Sequence, residues 1–274
     1  MVFQPIDPTQ SPPRRRFKAI PVRTLLPNLI TLLALCAGLT AIRLAIESKL
    51  ELALGAIVFA AVLDGIDGRV ARMLKGTSRF GAELDSLADF VNFGVAPGLI
   101  LYFWGLHELK SAGWIAALVF AICAALRLAR FNVMIDDPGQ PAWTGNFFVG
   151  MPAPAGAIAV MLPMYVAFAV ETPLDPSLTP FVTAYVLGIA LLMASRIPHF
   201  SGKKTGRVPR EWFMPLLFGV MAALLLGATF PMQMLAILSV FYLALIPLSA
   251  RKHMALTRAD QASAGAANPP PPQA

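Results

Sequence analysis

Apolar residues in this chain come in long runs rather than in alternation. Between residues 27 and 250 the runs cover roughly 27–47, 51–74, 81–106, 113–131, 150–170, 179–198, 212–230 and 232–250. Each is close to the ~20 residues an α-helix needs to cross a bilayer. The short alternating segments of an outer-membrane barrel are absent from the sequence. The pattern predicts an all-α integral membrane protein, a helical bundle of about eight transmembrane helices that satisfy their own backbone hydrogen bonds in lipid. The second run is unusual. It is apolar from Leu52 to Leu63, and polar residues then continue on what should be the same helix. The last two runs meet at Phe230-Pro231 with almost nothing between them, which predicts a tight helical hairpin. Met151-Pro152-Ala153-Pro154 is read as shaping the start of the fifth span.

Composition supports this division. The chain is 57% hydrophobic and 14% charged, with a mean hydropathy of +0.67. Cys36 and Cys123 each sit inside an apolar run and are read as small buried hydrophobes. No short leader with a small-residue cleavage site is evident at the N-terminus. The net charge of +7 does not point to nucleic acid, because the basic residues collect at helix ends and no nucleic-acid motif accompanies them. The positive-inside rule accounts for them better. With the N-terminus in the cytosol, the Arg14–Lys18 cluster, the 69–79 turn, Arg127 and Arg130, and the 196–210 and 251–258 segments all fall on one side. The other side keeps Lys49 and Lys110, with Arg43 inside the first span. The predicted organisation is a cytosolic or interfacial segment over 1–26, a membrane catalytic domain over 27–250, and a disordered cytosolic tail over 251–274. The N-terminal segment has two readings, a strip lying on anionic lipid or a plain positive flank.

Against this apolar background stand four aspartates. Asp64 and Asp67 are spaced i, i+3, and Gly81, Asp85 and Asp89 follow at i, i+4, i+8, so each set shares one helix face. An aspartate at the centre of a membrane helix costs on the order of 2.5–3.5 kcal/mol on insertion scales. Two helices joined by a short loop are antiparallel neighbours, and their acidic faces can meet as an oxygen-rich cage. Mg²⁺ or Mn²⁺ suits such a cage, and a soft metal does not, since no Cys or His is near. Gly68, Ala71 and Gly81 are small enough for backbones to approach or for a flat ligand to lie against the helix. Arg72, one turn beyond Gly68, is suited to grip a phosphate. Metal, arginine and carboxylates at a membrane surface suggest phosphoryl-transfer chemistry on a lipid. A structural ion-pair network such as Asp64–Arg72 accounts poorly for eight fixed positions.

The string Asp64-x2-Asp67-Gly68-x2-Ala71-Arg72-x8-Gly81-x3-Asp85-x3-Asp89 resembles the signature of the CDP-alcohol phosphotransferases, and all eight positions are filled. The resemblance implies the fold of that family and one or two divalent ions held by Asp64, Asp67, Asp85 and Asp89. It also implies cytidine diphosphate binding with Gly68, Ala71 and Arg72, and Asp89 as the base that deprotonates an acceptor alcohol. Segments around the motif, among them 27–31, 80–97, 125–132 and 148–155, are similar to the bacterial membrane-embedded branch of the family that uses L-serine. That likeness implies CDP-diacylglycerol and L-serine as substrates, and CMP as leaving group. It further implies a multi-pass protein of the bacterial inner membrane with its site and both termini cytosolic, and by analogy a homodimer.

Several residues carry two readings. Arg127 and Arg130, with Asn132 after them, either bind the acceptor or a lipid phosphate, or are snorkelling anchors. Asn28 and Thr31 either bond the nucleotide or mark a helix start. Ser78, in the polar loop with Lys75 and Arg79, either attracts anionic substrate or marks the cytosolic side. Other acceptors (glycerol 3-phosphate, inositol phosphate or choline) are the nearest alternative, and a cation transporter is a remote one.

Overall fold

The computed structural model describes residues 22–76, 78–135, 147–195, 198–200 and 210–267. The chain forms α1 (Val22–Ile46), α2 (Leu50–Met73), α3 (Arg79–Phe90), α4 (Ala96–Trp104), α5 (Ser111–Ile135), α6 (Ala153–Val160), α7 (Leu162–Ala169), α8 (Thr179–Ala194), α9 (Phe213–Thr229) and α10 (Pro231–Ala267). A short antiparallel ladder pairs β1 (Phe147–Val149) with β2 (Pro198–Phe200), Phe148 opposite His199.

Helices stand where the eight apolar runs predict them. Five segments, Arg23–Ile46, Arg79–Trp104, Ser111–Val133, Pro176–Ala194 and Pro231–Ser249, are long and apolar enough to cross a membrane. The other runs fall short for separate reasons. α2 carries Glu51, Asp64, Asp67, Arg69 and Arg72. The fifth run is two eight-residue helices, and α9 has 17 residues. Outward side chains are apolar, as lipid contact requires: Leu217, Phe218, Leu224 and Leu225 of α9 are all exposed.

Small residues set the closest packing. Ala34, Ala41 and Ala45 of α1 are buried along α2, which answers with Ala53, Leu54, Ile57 and Ala60. The α2 stripe at 53, 57 and 60 continues at helical spacing to 64, 67 and 71. The face that is apolar inside the membrane therefore becomes acidic at its end. α1 is the shared neighbour of α2, α3 and α4, whereas α2 and α3 scarcely touch. Their carboxylates meet across a gap floored by α1.

Prolines explain the irregular turns. Pro97 has no N–H for the carbonyl of Phe93, and the helix widens to π geometry over Val91–Val95 before α4 begins. Pro163 likewise cannot donate to Ala159, and the fifth span breaks at Met161 into α6 and α7. The carbonyl of Ala159 instead accepts a hydrogen bond from the Tyr185 hydroxyl at 2.6 Å. A single continuous fifth span is thus corrected to a broken one.

α1 begins at Val22, inside the segment assigned to 1–26, and residues 1–21 lie outside the described residues. α10 runs on to Ala267, where the sequence pattern places a disordered tail from 251. Ala255, Leu256, Ala259 and Ala262 are good helix formers and extend the last helix beyond its membrane span. Residues 268–274 lie outside the described residues. At the α1–α2 turn, Glu47 pairs with Lys49 and with Arg43, each at 2.8 Å. Hydrogen bonds from Lys49 and then Arg43 hold its carboxyl below the usual carboxylate range.

The Tyr185 bond is testable. Tyr185→Phe is expected to lower stability by about 1 kcal/mol, the usual scale for a side-chain hydrogen bond in a membrane protein. The loss should shrink when Pro163→Ala returns the missing N–H. Thermal unfolding of the four proteins in detergent checks this, and equal losses in both backgrounds would contradict it.

Candidate active site

Two helix ends and one helix floor make the site. The Ser78 hydroxyl accepts the backbone N–H of Gly81 at 3.0 Å and so caps the start of α3. That cap fixes the turn from which Gly81, Asp85 and Asp89 project on one face. From α2, Asp64 and Asp67 project toward them. One oxygen from each of Asp64, Asp67 and Asp85 lies within 4.8 Å of the others. Asp89 stands behind this trio, its carboxyl in hydrogen-bonding reach of Asp64. Oxygen donors this close, from carboxylates alone, fit a hard divalent cation after a small contraction.

Beside the trio opens a cavity of about 180 Å³, walled by α1, α2 and the start of α3. Asn28, Thr31, Asp67, Gly68, Ala71, Arg72, Ser78, Gly81 and Asp85 all line it. The sequence motif and the α1 residues therefore converge on one space. Two glycines shape its walls by close approach. A Cβ on Gly81 would lie 2.9 Å from Asn28 Oδ1, so Gly81 leaves Asn28 its place. Gly76, in the α2–α3 turn, packs directly on the Arg23 carbonyl, where a Cβ would collide with the backbone. Pro27 has no N–H to give that carbonyl, which leaves room for the turn to pack there. Arg72 folds back over Gly68, its Nη1 3.5 Å from the site of a Gly68 Cβ.

The remaining candidates lie deeper and do different things. Arg127 is 8% exposed, within electrostatic reach of Asp89 and Asp64, and sits 5.3 Å from the Phe131 ring centroid. Arg130 points elsewhere. Its Nη1 donates to the carbonyls of Ala194 at 2.8 Å and Ser195 at 3.4 Å, at the end of α8. Asn132 exchanges hydrogen bonds with Ser86, the neighbour of Asp85, at 2.9 and 3.3 Å. Ser78 sits in the cavity wall and is not grouped with Arg127. Tyr242, on α10, lies within electrostatic reach of Arg127. Nothing in the sequence marks it, since one tyrosine in an apolar run looks like packing.

With this geometry in place, the comparisons with known proteins are direct. The profile of the CDP-alcohol phosphatidyltransferase family matches residues 24–196. A CDP-diacylglycerol–serine O-phosphatidyltransferase of Mycobacterium leprae is 44% identical over 228 residues, 81% of this chain and 73% of that protein. One of Helicobacter pylori is 34% identical, covering 80% of this chain and 88% of its own length. One of Bacillus subtilis is 34% identical over 64% of this chain and 90% of its own length. The chain belongs to the CDP-alcohol phosphatidyltransferase family, and it is a membrane enzyme of that class. The family is divalent-metal dependent, and Asp64, Asp67 and Asp85 form the cluster that can take the ion. The family match ends before α9 and α10.

Gly76→Ala should push the α2–α3 turn off α1 and shift the cavity wall. Overpacking of this kind costs about 1–3 kcal/mol. The expected result is a KM for the CDP-activated lipid raised about tenfold, with kcat little changed. Steady-state kinetics check it, and an unchanged KM would contradict the docking role.

Proposed function

We propose that the protein transfers a phosphatidyl group from CDP-diacylglycerol to L-serine, giving phosphatidylserine and CMP. The observation that carries this reading is the convergence of Asp64, Asp67 and Asp85 on a cavity with Arg72, with Asp89 and Arg127 behind them. The names of the three relatives support serine as the acceptor.

Asp64, Asp67 and Asp85, with Asp89 beside Asp64, are the residues that would hold one or two divalent ions. Bound Mg²⁺ or Mn²⁺ would supply Lewis-acid polarisation of the diphosphate. Gly68, Ala71 and Gly81 leave the cavity open for the cytidine diphosphate, and Asn28 faces it from α1. Arg72 shares the charge that develops on the departing phosphate. Asp89 accepts the proton of the serine hydroxyl as that oxygen bonds to the lipid-side phosphorus. The phosphorus–oxygen bond to CMP breaks, and CMP leaves as the anion. Arg127, close to Asp89, suits the serine carboxylate, for which a guanidinium fork is the matching partner. Asn132 steadies the α3 turn that holds Asp85 through its bonds to Ser86.

The domain is the membrane unit over 27–250, and it sits in the bacterial inner membrane with its site and both termini in the cytosol. The distribution of lysine and arginine supports that orientation. A homodimer is expected by analogy with the family.

An acceptor panel tests the reaction. Purified protein in detergent with CDP-diacylglycerol should release CMP with L-serine. It should release little with glycerol 3-phosphate, inositol phosphate or choline. EDTA should abolish the activity and Mg²⁺ or Mn²⁺ restore it. Asp89→Asn should lower kcat by about 10²–10⁴-fold, the usual contribution of a general base. Efficient turnover with another alcohol and none with serine would sink the assignment.

Orientation is tested by labelling single cysteines in a Cys36→Ser, Cys123→Ala background. Glu108→Cys should react with an impermeant maleimide on intact cells, and Arg79→Cys only after permeabilisation. The reverse pattern would invert the topology.

A further inference from the structure

Thr31 stands out within the cavity wall because its hydroxyl is already committed. Its Oγ1 lies 2.6 Å from Asp67 Oδ2 and 3.1 Å from the Pro27 carbonyl. A threonine hydroxyl carries one proton, so one of the two acceptors takes it. The Pro27 carbonyl already faces the Thr31 backbone N–H in the α1 ladder. The carboxylate is the stronger acceptor, and 2.6 Å falls in the range of charge-assisted O–H···O⁻ bonds. Both partners are buried, Thr31 at 5% and Asp67 at 4% exposure. The β-branch leaves threonine few χ1 rotamers in a helix, and the one adopted here aims the hydroxyl at Asp67. The donor is thus held in place before any ligand arrives.

The position of this bond gives it leverage. α2 and α3 scarcely touch, and α1 lies against both. Asp67 belongs to the acidic trio, which spans the two helices. A bond from α1 to Asp67 therefore fixes the α2 acidic face relative to the helix that also carries α3. Asn28, one turn earlier on α1, packs closely against Gly81 in the cavity wall. The two α1 polar residues divide the work, one toward the cavity and one toward a carboxylate.

We propose that Thr31 is a positioning residue of the acidic site, which orients Asp67 toward a divalent cation and does not itself bind the nucleotide. This rests on the proposed function in assuming that the trio holds such a cation. One of the two sequence readings places Thr31 with the nucleotide, and the hydrogen bond to Asp67 moves it to the metal side.

The test uses the full chain in detergent, with Mn²⁺ alone as the first probe, followed by electron paramagnetic resonance. Thr31→Val keeps the shape and removes the donor, and Thr31→Ser keeps the donor. Thr31→Val is expected to weaken Mn²⁺ binding by about 10–100-fold, as loss of a residue that orients a metal ligand does. Thr31→Ser should stay within about threefold of wild type on the same scale. At saturating Mn²⁺, CDP should bind Thr31→Val as it binds wild type. Asn28→Ala should show the opposite pattern, with Mn²⁺ affinity kept and CDP affinity reduced. Thr31→Ala serves if Thr31→Val is not monodisperse. Wild-type Mn²⁺ affinity in the donor-less variant would overturn the proposal, and so would a loss of CDP affinity at saturating Mn²⁺. A wild-type protein that bound no Mn²⁺, or an Asp67→Asn variant that bound it equally well, would overturn the metal reading itself and this proposal with it.

Discussion

Carboxylates of like charge, gathered at one end of an apolar bundle, repel one another and lose hydration at the same time. Asp64, Asp67 and Asp85 bring their oxygens within 4.8 Å, and Asp89 closes on Asp64. Burial of such a set is costly unless opposite charge and hydrogen bonds complete it. Arg127 from α5 supplies part of that charge, and Thr31 from α1 supplies a hydrogen bond. A divalent cation would complete it with the chemistry the family uses. Much of the surrounding architecture follows from this constraint. α1 must lie against both acidic helices, the α2–α3 turn must be short and capped, and the cavity must open beside the trio.

The site has an outer and an inner part, and the helices divide them. The outer cavity belongs to α1, α2 and the start of α3, where Asn28, Gly68, Arg72 and Gly81 leave room for a nucleotide diphosphate. The inner part belongs to α3, α5 and α10, where Asp89, Arg127 and Tyr242 gather. In the proposed reaction the outer part would serve the leaving group and the inner part the acceptor. α10, beyond the family match, brings Tyr242 within electrostatic reach of Arg127.

What was legible in the sequence had fixed spacing or strong contrast. Asp64, Asp67, Asp85 and Asp89 could be placed on facing helices from i, i+3 and i, i+4 intervals alone. The apolar runs gave the helices because lipid admits few other folds. Less legible were features that depend on a distant partner. The break at Met161 follows from Pro163, but its tolerance depends on Tyr185, 26 positions from the carbonyl it serves. Arg130 resembles Arg127 in sequence, yet it bonds the carbonyl of Ala194 at the end of α8, a partner 64 positions away. Thr31 looks like a helix-start residue until Asp67 is seen above it. α10 outruns the expected tail because polar, alanine-rich sequence reads as disorder when helix propensity is left out.

The central claim is that the acidic cluster holds a divalent ion against the diphosphate of the lipid substrate. Pulsed electron–nuclear double resonance on the Mn²⁺-loaded protein with CDP-diacylglycerol measures this directly, through hyperfine coupling between Mn²⁺ and ³¹P. The account predicts a resolved ³¹P coupling in wild type that is lost in Asp85→Asn. Bound Mn²⁺ with no ³¹P coupling in the presence of the lipid would contradict it.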